Sequence, residues 1–151
     1  KFTGHADWRF IAEVKAAVDV PVVANGDIVT VDDAQTCLAQ SRADGVMIGR
    51  GAYGRPWFPA QVAAFLTTGE RCPDPTWDTR RAVLTHHLDA MLRHYGRNHG
   101  LRLARKHIGW YALGLPQAAA FRQIVNNTLD EHIVFNAVNR FFDTDHTQVA
   151  A

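Results

Sequence analysis

The 151 residues carry 16 Lys and Arg against 15 Asp and Glu, a formal net charge of +1, with 47% hydrophobic and 21% charged residues. That balance excludes an intrinsically disordered chain and gives no global basic signal for a polyanion partner. No apolar run approaches the ~20 residues needed to span a bilayer, and no targeting segment is visible, so no membrane partner is expected.

The length suits one ordinary domain or two small ones. Lys1-Phe2-Thr3-Gly4-His5 shows neither an initiator Met nor a signal-peptide pattern, and we expect the chain to begin inside a larger protein.

The first helix is expected to open at Ala6-Asp7-Trp8, with Asp7 as its N-cap. Trp8, Ile11, Val14 (or the stem of Lys15) and Val18 give it one apolar stripe. Asp19 breaks the pattern, and Pro21 stands where a strand can start. Val20-Pro21-Val22-Val23-Ala24 is continuously apolar, as in a strand of a parallel sheet buried on both faces. Asn25-Gly26-Asp27 ends it.

Thr30 followed by Asp33 reads as a capping box with the shorter acid, and Asp32 and Asp33 suit the positive end of a helix. Ala34, Cys37 and Leu38 form its inner stripe. Gly45-Val46-Met47-Ile48 is a second buried strand, and Gly49-Arg50-Gly51 is its polar end. Pro56 is placed as the first residue of a helix over 56–66, with Val62, Phe65 and Leu66 inward. Thr67-Thr68-Gly69 ends it. Residues 70–76, with two prolines and two acids, mark a boundary between a unit over 1–73 and one over 74–151.

Beyond Thr76 only helical periodicity remains. Trp77, Leu84, Leu88, Met91, Leu92 and Tyr95 follow a 3.6-residue period up to Gly96, a good C-cap. A second helix is predicted over 100–113, and a third around Phe121, Ile124 and Val125. Thr128-Leu129-Asp130-Glu131 reads as a capping box opening a fourth, with Ile133, Val134, Ala137, Val138, Phe141 and Phe142 inward. The fold class is therefore α/β followed by all-α. Two parallel strands with helices suggest the C-terminal part of a (β/α)8 TIM barrel, and four helices with short connections suggest a bundle.

Two strands cannot bury themselves. A cut sheet edge should aggregate, dimerise or swap strands. In barrels, phosphate is often held by the loops after the last two strands. The backbone N–H groups of Gly26, Asp27, Gly49 and Arg50 are therefore expected to converge on one phosphate, with Arg50 supplying charge. Either turn alone is ordinary turn chemistry. The pair across one β-α-β unit is more specific, but it names no ligand.

Between Asp89 and Asp130 there is no acid, while Arg93, Arg97, Arg102, Arg105, Lys106 and Arg122 all occur. Arg102, Arg105 and Lys106 share one helix face. A solvated charged face is the plain reading, and the acid-free surroundings favour RNA phosphate contacts. His107 suits RNA contact or packing, and Trp110 and Tyr111 fall near the apolar stripe. His86 and His87 point different ways, and no HExxH or Cys/His ligand spacing appears, so no metal site is expected. Two cysteines are too few for a disulfide framework. Cys37 reads as a buried thiol and Cys72 as incidental.

Gly4-His5-Ala6-Asp7-Trp8, residues 20–28, Asp44-Gly45-Val46-Met47-Ile48-Gly49-Arg50-Gly51-Ala52 and Pro56-Trp57 together closely resemble the tRNA-dihydrouridine synthases. Residues 102–111 (RLARKHIGWY) resemble the helical domain of the bacterial B-type branch, which includes nitrogen-regulation-locus homologues. The resemblance implies an FMN-containing TIM barrel followed by a four-helix tRNA-binding domain. It implies reduction of the C5=C6 bond of uridines in tRNA, with NADPH, less often NADH, as reductant. Asn25, Gly26 and Asp27 match the FMN-binding segment, and Gly49 and Arg50 match the FMN-phosphate pair. Arg102, Arg105, Lys106 and His107 fall in the tRNA-binding domain.

Neither Cys37 nor Cys72 matches the family's catalytic cysteine, so no catalytic residue is expected here and the chain alone should be inactive. The resemblance further implies a cytoplasmic, monomeric parent enzyme that acts on tRNA and not DNA. Two other readings share part of the pattern. One is another FMN- or phosphate-binding barrel oxidoreductase, such as a dihydroorotate dehydrogenase relative, which does not account for the basic helical tail. The other is a stand-alone RNA-binding module.

Overall fold

The computed structural model describes residues 4–143. It divides between Pro73 and Asp74 into two compact units. Among the described residues there are seven α-helices and two parallel strands.

The first unit runs α1 (Trp8–Ala16), β1 (Val23–Asn25), α2 (Val31–Ser41), β2 (Gly45–Met47), a 3-10 turn (Arg50–Ala52) and α3 (Phe58–Thr68). The local signals at the starts of α1 and α2 act as read. Asp7 accepts the amides of Arg9 and Phe10 at 3.1 and 3.0 Å. Thr30 Oγ1 accepts the Asp33 amide at 3.0 Å, and Asp33 Oδ2 accepts the Thr30 amide at 2.8 Å. Two otherwise orphaned donors are thus satisfied reciprocally.

β1 and β2 pair in parallel with Ala24 opposite Val46 and Asn25 opposite Met47. Side chains alternate across a strand, so Ala24 and Val46 share one face, and Val23, Asn25 and Met47 share the other. Ala24 is buried in a core with Ile28, Ala34, Cys37, Phe58 and Val62, against which Trp8, Ile11 and Val46 pack. The opposite face is open: Val23 is 58% and Met47 52% exposed. The apolar run over 20–24 is therefore not a strand buried on both faces. Its ladder begins only at Val23, and Val20 is exposed. Helices cover one side of the pair, and among the described residues each strand has one neighbour.

Three smaller expectations also change. α1 ends at Ala16, so Val18 lies beyond it, and Val14 is exposed. The Lys15 stem is the part that folds inward, with Nζ 2.8 Å from Asp44 Oδ2. Pro56 sits in the turn before α3, and the helix instead carries Pro59 at its second position, where a missing N–H costs nothing. Phe58 takes the inward place expected of Leu66, which is exposed.

The second unit holds α4 (Trp77–Tyr95), α5 (Arg97–Tyr111), α6 (Ala118–Asn126) and α7 (Glu131–Asp143). α4 packs on α5 and α7, and α6 packs on the same two helices. α5 starts three residues earlier than the glycine at 100 suggests. Gly100 is not a boundary but a crossing point. A Cβ there would lie 2.9 Å from the Met91 carbonyl oxygen and 3.1 Å from Leu92 Cα.

Phe121 and Phe141 stack at 4.3 Å between α6 and α7. Tyr95, Ile124 and Ile133, expected inward, are exposed. α7 is capped by Asp130, whose Oδ1 accepts the His132 amide at 2.8 Å. Thr128 instead accepts the Asp130 amide at 3.0 Å and shapes the approach. No described helix is long and apolar enough to cross a membrane.

Gly100→Ala should destabilise the helical unit. The added methyl meets backbone rather than a flexible side chain, an overpacking cost of about 1–3 kcal/mol that outweighs the ~1 kcal/mol gain in helix propensity. A urea unfolding midpoint equal to or above that of the unmodified chain would show that the crossing tolerates a methyl group.

Candidate functional site

The parallel register sets Asn25 beside Met47, so the turns leaving both strands emerge at the same end of the sheet. A cavity of about 830 Å³ lies there, lined by Asn25, Gly26, Asp27, Gly49 and Arg50 together with Gly4, His5, Ala6, Ile28, Val29, Met47, Gly51 and Tyr53. All five cradle residues expected from the sequence meet on this one cavity.

Each turn is fixed by specific contacts. Gly26 has φ +118°, and a Cβ on it would lie 2.6 Å from Ala6 Cβ. Its carbonyl accepts the Trp8 indole N–H at 3.1 Å. Asp27, at φ 55°, accepts the Ala6 amide through Oδ2 at 2.6 Å. Arg50 Nη2 stands 3.6 Å from Asp27 Oδ1, and His5 Nδ1 3.8 Å from Oδ2. The Asp27 charge is therefore engaged by the protein, and the Arg50 side chain, 70% exposed, remains the cation at the cavity edge.

Gly51 is buried, and a Cβ there would overlap the Ile28 carbonyl. The 3-10 turn thus rests directly on the backbone that follows β1. Gly49 precedes it without a side-chain cap, and the first amides of such a turn have no partner within it. Glycines at the points of closest approach, uncapped amides and an exposed arginine fit a phosphate group.

Sequence reasoning assigned Arg55 no role, and it assigned Ala6 and Trp8 a place in the first helix and the family motif but none in the site. Trp8 was placed by its apolar body, although its N–H also serves the Gly26 turn. Arg55 Nη2 donates to both Val29 O and Gly51 O at 2.8 Å. Its position four residues after Gly51 was the available signal, since that spacing lets a long side chain reach back over one turn.

The helical unit separates the four residues proposed for RNA. Arg102 and Lys106 are exposed on α5, with Lys106 Nζ 4.9 Å from the Trp110 ring centroid. Arg105 is half-buried and turned inward. Its Nη2 donates to Thr128 O at 2.9 Å, and its Nε is buried without an acceptor. The acid-free stretch is also partly neutralised from its ends, because Arg93 pairs with Asp89 at 2.7 Å and Arg97 with Glu131 at 3.1 Å.

His107 belongs to an aromatic cluster. Its ring centroid is 5.2 Å from His87 and 5.0 Å from Trp110, and His87 Nδ1 is 3.3 Å from the Tyr111 hydroxyl. Burial, then the charges of His87 and Lys106, lowers the His107 pKa; burial, then His86, lowers that of His87. Burial pushes the Tyr111 hydroxyl up to about 12.

Neither cysteine lines the cavity. Cys37 is buried in the first core, where desolvation raises its thiol pKa. No group of three or more His, Cys, Asp or Glu suited to a metal occurs among the described residues.

The model of the dihydrouridine synthase (Dus) family matches residues 1–144. The chain is 45% identical over 141 residues to a probable tRNA-dihydrouridine synthase of Rickettsia bellii. It is 46% identical over 142 residues to tRNA-dihydrouridine synthase B of Xanthomonas axonopodis pv. citri, and 54% over 112 residues to a probable tRNA-dihydrouridine synthase of Rhodobacter capsulatus. These matches cover 93%, 94% and 74% of this chain but 43%, 43% and 34% of the respective relatives. The chain thus spans less than half the length of the proteins it matches.

The two depressed histidines give the helical unit a defined acid sensitivity. Each binds its proton more weakly folded than unfolded, so their contribution is complete above the unfolded value of about 6.5 and is lost as pH falls from there through the depressed folded values. The urea midpoint should be level from pH ~8 to ~7 and fall below pH ~6.5, and His87→Gln should flatten that fall. A midpoint that holds steady or rises on acidification would contradict the burial of these rings.

Proposed function

Because this chain belongs to the dihydrouridine synthase family, we propose that it is the C-terminal part of an FMN-dependent tRNA-dihydrouridine synthase of the B type. The observation that carries the reading is the meeting of both glycine turns and Arg50 on one cavity at a single end of the parallel strands. Residues 1–73 are read as the last two strands of a (β/α)8 barrel, in which phosphate is bound at that end. The open face bearing Val23 and Met47 then faces the barrel interior. Residues 74–151 are read as a four-helix bundle that binds tRNA.

In this reading Asn25, Gly26 and Asp27 border the FMN, and the Gly49 and Arg50 backbone with the Arg50 guanidinium holds its phosphate. When bound, FMN reduced by NADPH or NADH would supply a hydride to the C5=C6 bond of a uridine, and a proton would complete the saturation. The residues of this chain bind and orient; in this reading the proton comes from the family's catalytic cysteine, which neither Cys37, buried in the core, nor Cys72 matches. Arg102 and Lys106 contact RNA phosphates, while Arg105 braces the α6–α7 connection beneath them and His107 packs alongside. The parent enzyme is read as cytoplasmic, where it meets tRNA.

Three measurements test this reading. In the full-length enzyme, fluorescence titration should show FMN binding that Arg50→Ala weakens about tenfold. This chain by itself, given FMN, NADPH and unmodified tRNA, should form no dihydrouridine by mass spectrometry. Absence of FMN binding removes the cradle, and product formation refutes the assignment of a binding part without a proton donor. In the full-length enzyme, Arg102→Glu with Lys106→Glu should weaken tRNA binding and lower its salt slope by about 2. Unchanged affinity and slope would take α5 out of the RNA interface.

A further inference from the structure

Arg55 does not line the cavity, yet it is bonded to two residues that do. Val29 follows the turn after β1, Gly51 lies in the turn after β2, and the carbonyls of both accept from the same Arg55 Nη2 at 2.8 Å. The guanidinium carbon sits 4.5 Å from the ring centroid of Phe58, which is buried in the core. A guanidinium stacked on a fixed ring loses little freedom when it bonds.

The separation of the two turns is therefore set twice. Gly51 rests on the Ile28–Val29 backbone, closer than any side chain allows. Arg55 then draws the Val29 and Gly51 carbonyls to one point. Those carbonyls present the negative ends of two dipoles near a site read as anionic. Arg55 satisfies both and adds a positive charge behind the wall. Arg50 works differently, as an exposed side chain at the cavity edge.

We infer that Arg55 is a positioning residue for the phosphate group. It holds the turns after β1 and β2 at the separation where their amides meet one anion. The inference rests on the reading of this cavity as an FMN-phosphate cradle.

FMN and riboflavin separate the two ideas, because riboflavin lacks only the phosphate. Both are titrated into the full-length enzyme, with this chain unmodified or carrying Arg55→Met or Arg55→Lys, and circular dichroism is the check on folding. The unmodified enzyme should prefer FMN. Arg55→Met should lose about tenfold in FMN affinity with riboflavin affinity unchanged, and Arg55→Lys should recover part of that loss. FMN binding that survives Arg55→Met, or an equal loss for both flavins, overturns the positioning role. Should Arg55→Met fail to fold, Arg55→Lys carries the test. An FMN-specific loss of about threefold supports the role, and parity with the unmodified enzyme overturns it. An unmodified enzyme that binds FMN no better than riboflavin refutes the cradle reading itself, and the role of Arg55 with it.

Discussion

The contact of Gly51 with the Ile28–Val29 backbone is the constraint on which the first unit depends. It joins the exits of two strands whose own ladder is only three residues long. The parallel register brings the exits to one end, and the core under Ala24 and Val46 holds that register. Gly51 then sets how closely the exits approach. Trp8 and Asp27 perform the matching task on the other side, tying Ala6 and the first residue of α1 to the β1 turn through two hydrogen bonds. A short sheet with one covered face would not define such a cavity without these fastenings.

Much of this was legible in the residues. Helix starts at Asp7 and Thr30 and the stop at Gly69 each depend on interactions within a few residues. Such short-range chemistry survives whatever the rest of the chain does. Burial did not read as well. Val20 and Val23 look like core because they are β-branched and lie in an unbroken apolar run, but burial depends on what covers a face, which hydrophobicity alone does not state. Ile124 and Ile133 failed for the same reason. Pro56 and Pro59 show another limit: both suit the start of a helix, and the choice between them followed from how Phe58 docks in the core.

The basic helix makes the point for charge. Arg102, Arg105 and Lys106 share a face by spacing, yet their surroundings differ. Arg105 is spent on the Thr128 carbonyl, and the acid-free run borrows counter-charges from Asp89 and Glu131 at its margins. Counting charges along the sequence overstates the positive surface by the residues that fold back on the protein. His107 is a parallel case. A histidine beside a lysine looks poised for RNA, but its ring is held between His87 and Trp110.

The ion pair at the cavity edge has a consequence for how an anion would be held there. An anion arriving at Arg50 meets a guanidinium that already has the Asp27 carboxylate 3.6 Å away, and that carboxylate is itself fixed by the Ala6 amide. The carboxylate repels the newcomer while the guanidinium attracts it, so the pull of the pair is the difference of the two, in proportion to the charge the anion brings. In the proposed reading the amides of the two turns therefore carry more of the hold on a phosphate than the exposed guanidinium does.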